Sequence, residues 1–250
     1  IIGLKFDFGW FTKILKISSA YIRYYISTTS IKKFYKKEVI LILALPKSGS
    51  TWLENLMNID FKFTNIMPPQ VIVWEQKENR SDNFVPQKDF VEDLPNGRWI
   101  IKIHAFYSNE LWSIIKKHKI KPLVLHRNSR DVINSMIHYV SITKFHPEYK
   151  KTKMMTCDEK KQYFERKYLN DFENWIKSWS MVESEILKLS YEDMIINTEK
   201  ELKKAYDYVF QKYEKSEITQ SIERNTIDML KKRSMQKAFY RGAKIKKNAS

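Results

Sequence analysis

The chain has 250 residues, 43% of them hydrophobic, enough to bury one sizeable core and to make a single domain over residues 1–250 the default. Its one cysteine, Cys157, excludes an internal disulfide framework and fits a reducing, cytoplasmic compartment, while His104, His118, His126, His138 and His146 show no metal-site spacing, so no metal is expected. The formal charge of +16, concentrated near the end in Lys231, Lys232, Arg233, Lys237, Arg241, Lys244, Lys246 and Lys247, fits a polyanion surface or a merely solvated basic face, and no nucleic-acid signature accompanies it.

In chain order, the first forty residues are basic and aromatic, and Trp10, Phe11, Ile14 and Leu15 predict a short packed helix. No apolar run is long enough to span a bilayer. The chain opens on Ile1 rather than methionine, so a lost upstream targeting or anchoring segment stays open. Val39 to Leu45 reads as a buried parallel strand and Ser50 to Asn58 as the helix after it. Glu75 to Pro95 is polar and broken by Pro86 and Pro95, which predicts a long surface loop. Further strands are expected at Trp99 to Ile103, Pro122 to His126 and Ile186 to Ser190. Helices are expected at Asn109 to His118, Arg130 to Ile142, Gln162 to Glu185 and Glu199 to Gln211. Phe172, Trp175, Trp179 and Val182 form a helical stripe that reads as core rather than a base-stacking platform. The alternation implies an α/β fold, a central parallel sheet with helices on both faces, whose ligands gather beyond the strand carboxyl ends.

The most informative stretch is VILILALPKSGSTW, Val39 to Trp52, where the apolar strand runs into a small-residue turn and a helix start. Unpaired amides and the helix dipole favour an anion there, and Lys47 adds a positive charge. The lysine precedes Gly49, whereas a triphosphate loop has the order GK[ST], which disfavours a magnesium-dependent kinase. At the end of the second strand, Lys102 and His104 lie two residues apart and should share a face. Histidine suits a general base and lysine suits charge neutralisation, although a lone histidine is more often structural. After the third strand, Arg127 leaves the sheet and Ser135 follows inside the next helix, where Asn128 or Ser129 can cap and Asp131 suits the first turn. Arginine beside a hydroxyl can hold a phosphate, but an ordinary surface salt bridge is the simpler reading of that segment alone.

Taken together, in this order and spacing, the segments resemble the sulfotransferase superfamily, especially its soluble aryl and alcohol enzymes. LPKSGSTW is similar to the family's YPKSGTTW loop, IIKIHAF to IIKTHLP, HRNSRDVINS to RNPKDVAVS, and LSYEDM to FYEDM; the likeness covers roughly residues 39 to 242. It implies a P-loop-like three-layer fold and the donor 3′-phosphoadenosine 5′-phosphosulfate (PAPS), with adenosine 3′,5′-bisphosphate (PAP) as product and no metal. By the same likeness Lys47 reaches the bridging oxygen, Ser48, Gly49, Ser50 and Thr51 hold the 5′-phosphate, and Trp52 stacks on adenine. His104 becomes the catalytic base, Lys102 stabilises charge, Arg127 and Ser135 bind the 3′-phosphate, and Tyr191 contacts adenine. The chain departs from the family at Ser129, where a proline is usual. It departs again at the end, where Tyr240, Arg241, Gly242 and Ala243 stand in place of RKGxxGxW; Arg241 and Gly242 could still cover the 3′-phosphate.

The implied reaction is in-line sulfuryl transfer to a hydroxyl or amine. The acceptor is a small molecule or a carbohydrate, and Phe106, Tyr107, Tyr139 and Phe145 are either an apolar acceptor wall or core and rim aromatics. The rival readings are a nucleotide or small-molecule kinase and a non-catalytic polyanion-binding protein. The oligomeric state is left open.

Overall fold

The computed structural model describes residues 8–29, 36–58, 62–78, 84–144, 146–182, 186–210, 212–226 and 228–229. Helix α1 (Phe8–Thr29) precedes β1 (Glu38–Ala44) and α2 (Ser50–Leu56), followed by β2 (Thr64–Ile66), α3 (Pro69–Glu78) and β3 (Arg98–Ile103). Then come α4 (Asn109–Lys117), β4 (Leu123–His126), α5 (Ser129–Ile142), the single turn α6 (Tyr149–Thr152) and the long α7 (Cys157–Ser180). Strand β5 (Leu187–Ser190), α8 (Tyr191–Ile196), α9 (Thr198–Val209) and α10 (Lys215–Arg224) complete the described elements.

Strand β1 is central because it is apolar on both faces. Leu41 and Leu43 join a core with α3, α4, α5 and α7, while Ile40, Ile42 and Ala44 join a second core with α2, α8, α9 and α10. A strand covered on both sides needs this continuous apolar run, and each fully buried leucine or isoleucine contributes about 1.5–3 kcal/mol. The sheet is wholly parallel, in the order β2-β3-β1-β4-β5. From β1 the chain goes out to the edge strand β2, returns to β3 beside β1, then crosses to β4 and β5 on the other side. The carboxyl end of β1 is therefore the switch point, where a crevice opens between diverging connections. The register sets Leu43 opposite Ile103, so His104, the next residue, comes level with Ala44.

Local chemistry explains where the helices begin. Ser108 Oγ accepts from Leu111 N to cap α4, and Asn128 Oδ1 accepts from Arg130 N and Asp131 N to cap α5. Helix α7 starts at Cys157, five residues before the predicted Gln162, because Thr156 and Glu159 form a reciprocal capping box.

Two expectations are corrected. The stretch from Glu75 to Pro95 is no surface loop: Glu75 to Glu78 finish α3, and Phe84, Phe90, Val91 and Leu94 are buried. The intervening polar residues tie these anchors down, since Asp89 Oδ1 accepts from both Val91 N and Glu92 N, and Lys37 Nζ donates to the Val91 and Glu92 carbonyls. The first helix is long rather than short, and Ile14 and Leu15 are 37% and 52% exposed rather than packed. It docks by another side, where Tyr24 donates to the Asp93 carbonyl and Lys16 attracts Glu75. The side chains of Trp10 and Phe11 lie outside the described residues.

Candidate active site

The turn between β1 and α2 is held in an unusual shape. Lys47 has φ 62° and Gly49 has φ 86°, both left-handed. Gly49 is required twice over, because a Cβ there would lie 2.5 Å from Cδ2 and 2.7 Å from Cε2 of Tyr191. Lys47 has no such exemption, and a strained non-glycine residue at a loop apex is typical of a functional turn. Ser48 is fully buried, with its hydroxyl and its amide both donated to the Leu45 carbonyl, so its side chain closes the turn. Helix α2 then starts with no side-chain cap on its first amides, which leaves them for an acceptor outside the helix.

Cations converge on this turn. Lys47 Nζ lies 4.2 Å from the centroid of Tyr139. Burial, and then repulsion from Arg127 and Lys102, hold the Lys47 pKa below the usual lysine range. Arg127, just past β4, donates Nη1 to the Lys47 carbonyl at 3.2 Å and stacks its guanidinium 4.3 Å over Tyr191. Its Nε is buried with no hydrogen-bond partner among the described residues. Lys102 projects from β3 toward α2, where Nζ donates to Thr51 Oγ1 and Glu54 Oε2, each at 2.9 Å. Ser50 is nearly buried, whereas Thr51 is exposed at the mouth of the turn.

His104 is fixed on every side. Its Nδ1 lies 2.6 Å from the Ala44 carbonyl. A carbonyl can only accept, so Nδ1 carries a proton, and when the ring is neutral its lone pair lies on Nε2. The His104 carbonyl accepts from Phe84 N at 2.9 Å. The next carbonyl, that of Ala105, accepts from the indoles of Trp175 and Trp179 at 2.7 and 3.0 Å. The expected core stripe on α7 thus also anchors the segment carrying the imidazole. Such anchoring fixes the position of the imidazole at the carboxyl end of β1.

Trp52 and Tyr191 meet edge to face with centroids 6.3 Å apart, and Trp52 Nε1 donates to the Asn225 carbonyl after α10. Ser135 is half-buried on α5. Arg241, Gly242 and Phe145 lie outside the described residues. Of the proposed acceptor aromatics, Tyr107 is wedged between Trp112 and Trp179, and Phe106 packs against the same core; Tyr139, 40% exposed, stays beside Lys47. Sequence reasoning missed Glu54, Asn225 and the two indole anchors. Only Glu54 left a signal, its one-turn spacing from Thr51 on the same helix.

A parallel α/β sheet with a lysine-bearing, glycine-pivoted turn at its switch point defines an anion-binding domain of the P-loop-like class. Residues 37–249 match the family described as "Sulfotransferase domain", and the chain belongs to that family. It is similar to Sulfotransferase 1A1 of Canis lupus familiaris, 24% identical over 204 residues that make up 78% of this chain and 67% of that protein. It is also similar to Sulfotransferase 1A1 of Mus musculus, 25% identical over 178 residues, 68% of this chain and 59% of that protein. The chain thus spans roughly three-fifths to two-thirds of the length of these curated relatives. Among solved structures, mouse sulfotransferase SULT7A1 complexed with PAP superposes with a TM-score of 0.58 at 19% identity, covering 82% of this chain and 73% of that one. Retinol dehydratase in complex with androsterone and inactive cofactor PAP gives 0.55 at 14% identity, covering 83% and 70%. At these identities the two structures establish the fold. No described helix is long and apolar enough to cross a membrane.

Proposed function

We propose that the chain transfers the sulfuryl group of PAPS to a hydroxyl or amine on a small-molecule or carbohydrate acceptor, releasing PAP. The observation that supports this most is the gathering of Lys47, Lys102 and Arg127 with a tautomer-fixed His104 at the carboxyl end of β1. The residues present suit an anionic nucleotide: an unpartnered buried guanidinium nitrogen, a glycine pivot with no room for a side chain, and mutually repelling cations all gain from an anion between them.

The α2 amides, Thr51 and Ser50 hold the 5′-phosphate, Arg127 and Ser135 take the 3′-phosphate, and Trp52 and Tyr191 border the adenine. Arg241 and Gly242 are assigned to the 3′-phosphate by resemblance alone. The donor supplies an activated sulfuryl group, whose bond to the phosphate oxygen breaks as the acceptor atom forms its bond to sulfur. His104 Nε2 removes the acceptor proton, while Lys47 and Lys102 neutralise charge gathering on the phosphate that leaves. General-base catalysis of this kind contributes on the order of 100- to 10,000-fold. The fixed cations and amides carry the electrostatic work, and the anchored segment carries the orientation.

Calorimetry tests the reading with two ligands, PAP alone and ATP with magnesium. Tight binding of PAP and weak binding of magnesium ATP are expected, and Arg127→Ala should weaken PAP by about tenfold or more, the loss of a charged hydrogen bond. A preference for magnesium ATP would turn the reading to a kinase. Binding of any polyanion without preference for adenine, and with a steep salt dependence, would turn it to a charge-driven surface.

A further inference from the structure

Thr51 and Glu54 stand one turn apart on α2, and this spacing places both on the helix face that looks across to β3. Lys102 answers them from the sheet. Its Nζ donates at 2.9 Å to Thr51 Oγ1 and at 2.9 Å to Glu54 Oε2. The ion pair is largely withdrawn from water, with Lys102 17% and Glu54 13% exposed. It sits at a basic end of the molecule, where Lys47 already feels repulsion from Arg127 and Lys102.

The hydrogen count at this bridge is informative. An ammonium carries three hydrogens and accepts none. Two of those on Lys102 are directed at Thr51 and Glu54, which leaves one for a third acceptor. The Thr51 oxygen, having accepted from Lys102, still has its own hydrogen to donate. With one lone pair taken by the ammonium, that hydrogen points away from Lys102, and Thr51 is exposed.

We propose that Glu54 is a positioning residue for sulfuryl transfer: it anchors the Lys102 ammonium so that its remaining hydrogen and the Thr51 hydroxyl hydrogen both face the donor turn. The inference rests on the proposed function, in which that turn receives the phosphosulfate. Glu54 does not touch the donor. Its carboxylate has a second effect of opposite sign, because it neutralises Lys102 before an anion arrives and so weakens the attraction for that anion. Removing the carboxylate should therefore slow the reaction without weakening donor-site binding. A residue that only stabilises the fold would not separate the two.

The test uses the full chain and its Glu54→Ala, Glu54→Gln and Glu54→Asp variants. Turnover is measured with radiolabelled donor and PAP affinity by calorimetry. In Glu54→Ala, kcat is expected to fall by about 10- to 100-fold, the scale of a misplaced catalytic group, while PAP binds as tightly as before or more tightly. Glu54→Gln keeps an acceptor of the same length without the charge and should lose less, and Glu54→Asp should recover part of the rate with wild-type PAP affinity. Glu54→Gln is nearly isosteric, so the split can be read from it if Glu54→Ala does not fold. Wild-type kcat in both Glu54→Ala and Glu54→Gln would overturn the role of Glu54, as would a parallel loss of rate and PAP affinity. Failure of the wild-type chain to bind PAP would instead overturn the proposed function, so the two failures are distinguishable.

Discussion

Replacing Gly49 by alanine tests the geometry of the donor turn at its tightest point. Two costs are involved. The left-handed backbone at φ 86° disfavours any residue with a Cβ, by about 1–2 kcal/mol. The new methyl would also fall 2.5 and 2.7 Å from two ring carbons of Tyr191. That ring cannot retreat freely, because Arg127 stacks 4.3 Å above it and Trp52 meets its edge. Overpacking of this kind costs about 1–3 kcal/mol, so Gly49→Ala should destabilise by roughly 2–5 kcal/mol in all. The two costs separate in a Tyr191→Ala background, where the ring is gone and only the backbone cost of about 1–2 kcal/mol should remain. Urea denaturation of the four proteins gives the cycle, and PAP calorimetry follows the site in parallel. A Gly49→Ala penalty equal in both backgrounds would refute the reasoning, since Tyr191 would then not be what Gly49 accommodates.

Two further outcomes depend on charge. Lys47 has its pKa lowered by burial and by Arg127 and Lys102, so its ammonium opposes folding at every pH below its folded pKa, and the penalty is relieved as pH rises through that value. Lys47→Met should therefore leave the ligand-free protein at least as stable as wild type at neutral pH by thermal melting, while weakening PAP by about tenfold or more; a clear loss of ligand-free stability would contradict it. Burial pushes Glu75 up from 4.5 to about 7 against the attraction of Lys16, so wild-type stability should fall as pH rises between these values. Glu75→Gln should remove this slope and be more stable than wild type at alkaline pH by on the order of 2–3 kcal/mol in urea; identical pH profiles would show that Glu75 is not held in its neutral form.

The inner strands β1, β3 and β4 were legible because burial demands a largely apolar run, and the edge strand β5 was legible as the short apolar stretch before Tyr191. The expected strands at Val39 to Leu45, Trp99 to Ile103, Pro122 to His126 and Ile186 to Ser190 match β1, β3, β4 and β5 to within a residue at each end. Strand β2, three residues long at the sheet edge, is too short to carry a period, and the polar α10 showed little to distinguish it from a loop. The stretch after Glu75 misled because charged residues and prolines outnumber its anchors. Their burial is decided by the distant core that receives Phe84, Phe90 and Leu94.

Within the site, the turn and its lysine could be read from local order, and so could the presence of Lys102 and His104 at a strand end. What each side chain grips could not. The Lys102 bridge to α2 spans 48 residues to Glu54, and the indole anchors on Ala105 span 70 and 74. Such contacts are set by how layers pack, which residue spacing along a single element does not encode. The same holds for Ser48, whose hydroxyl faces inward to Leu45 rather than out of the turn.

In the proposed reaction the anchored imidazole serves as base for transfer from a donor bound at the β1 turn. Transfer of radiolabelled sulfate from PAPS across a panel of phenol, alcohol, amine and carbohydrate acceptors, run with wild type and His104→Ala, tests it most directly. Label should appear on at least one acceptor class with wild type and fall by about 100- to 10,000-fold with His104→Ala, whose PAP affinity stays near that of wild type. Undiminished transfer by His104→Ala would contradict the claim.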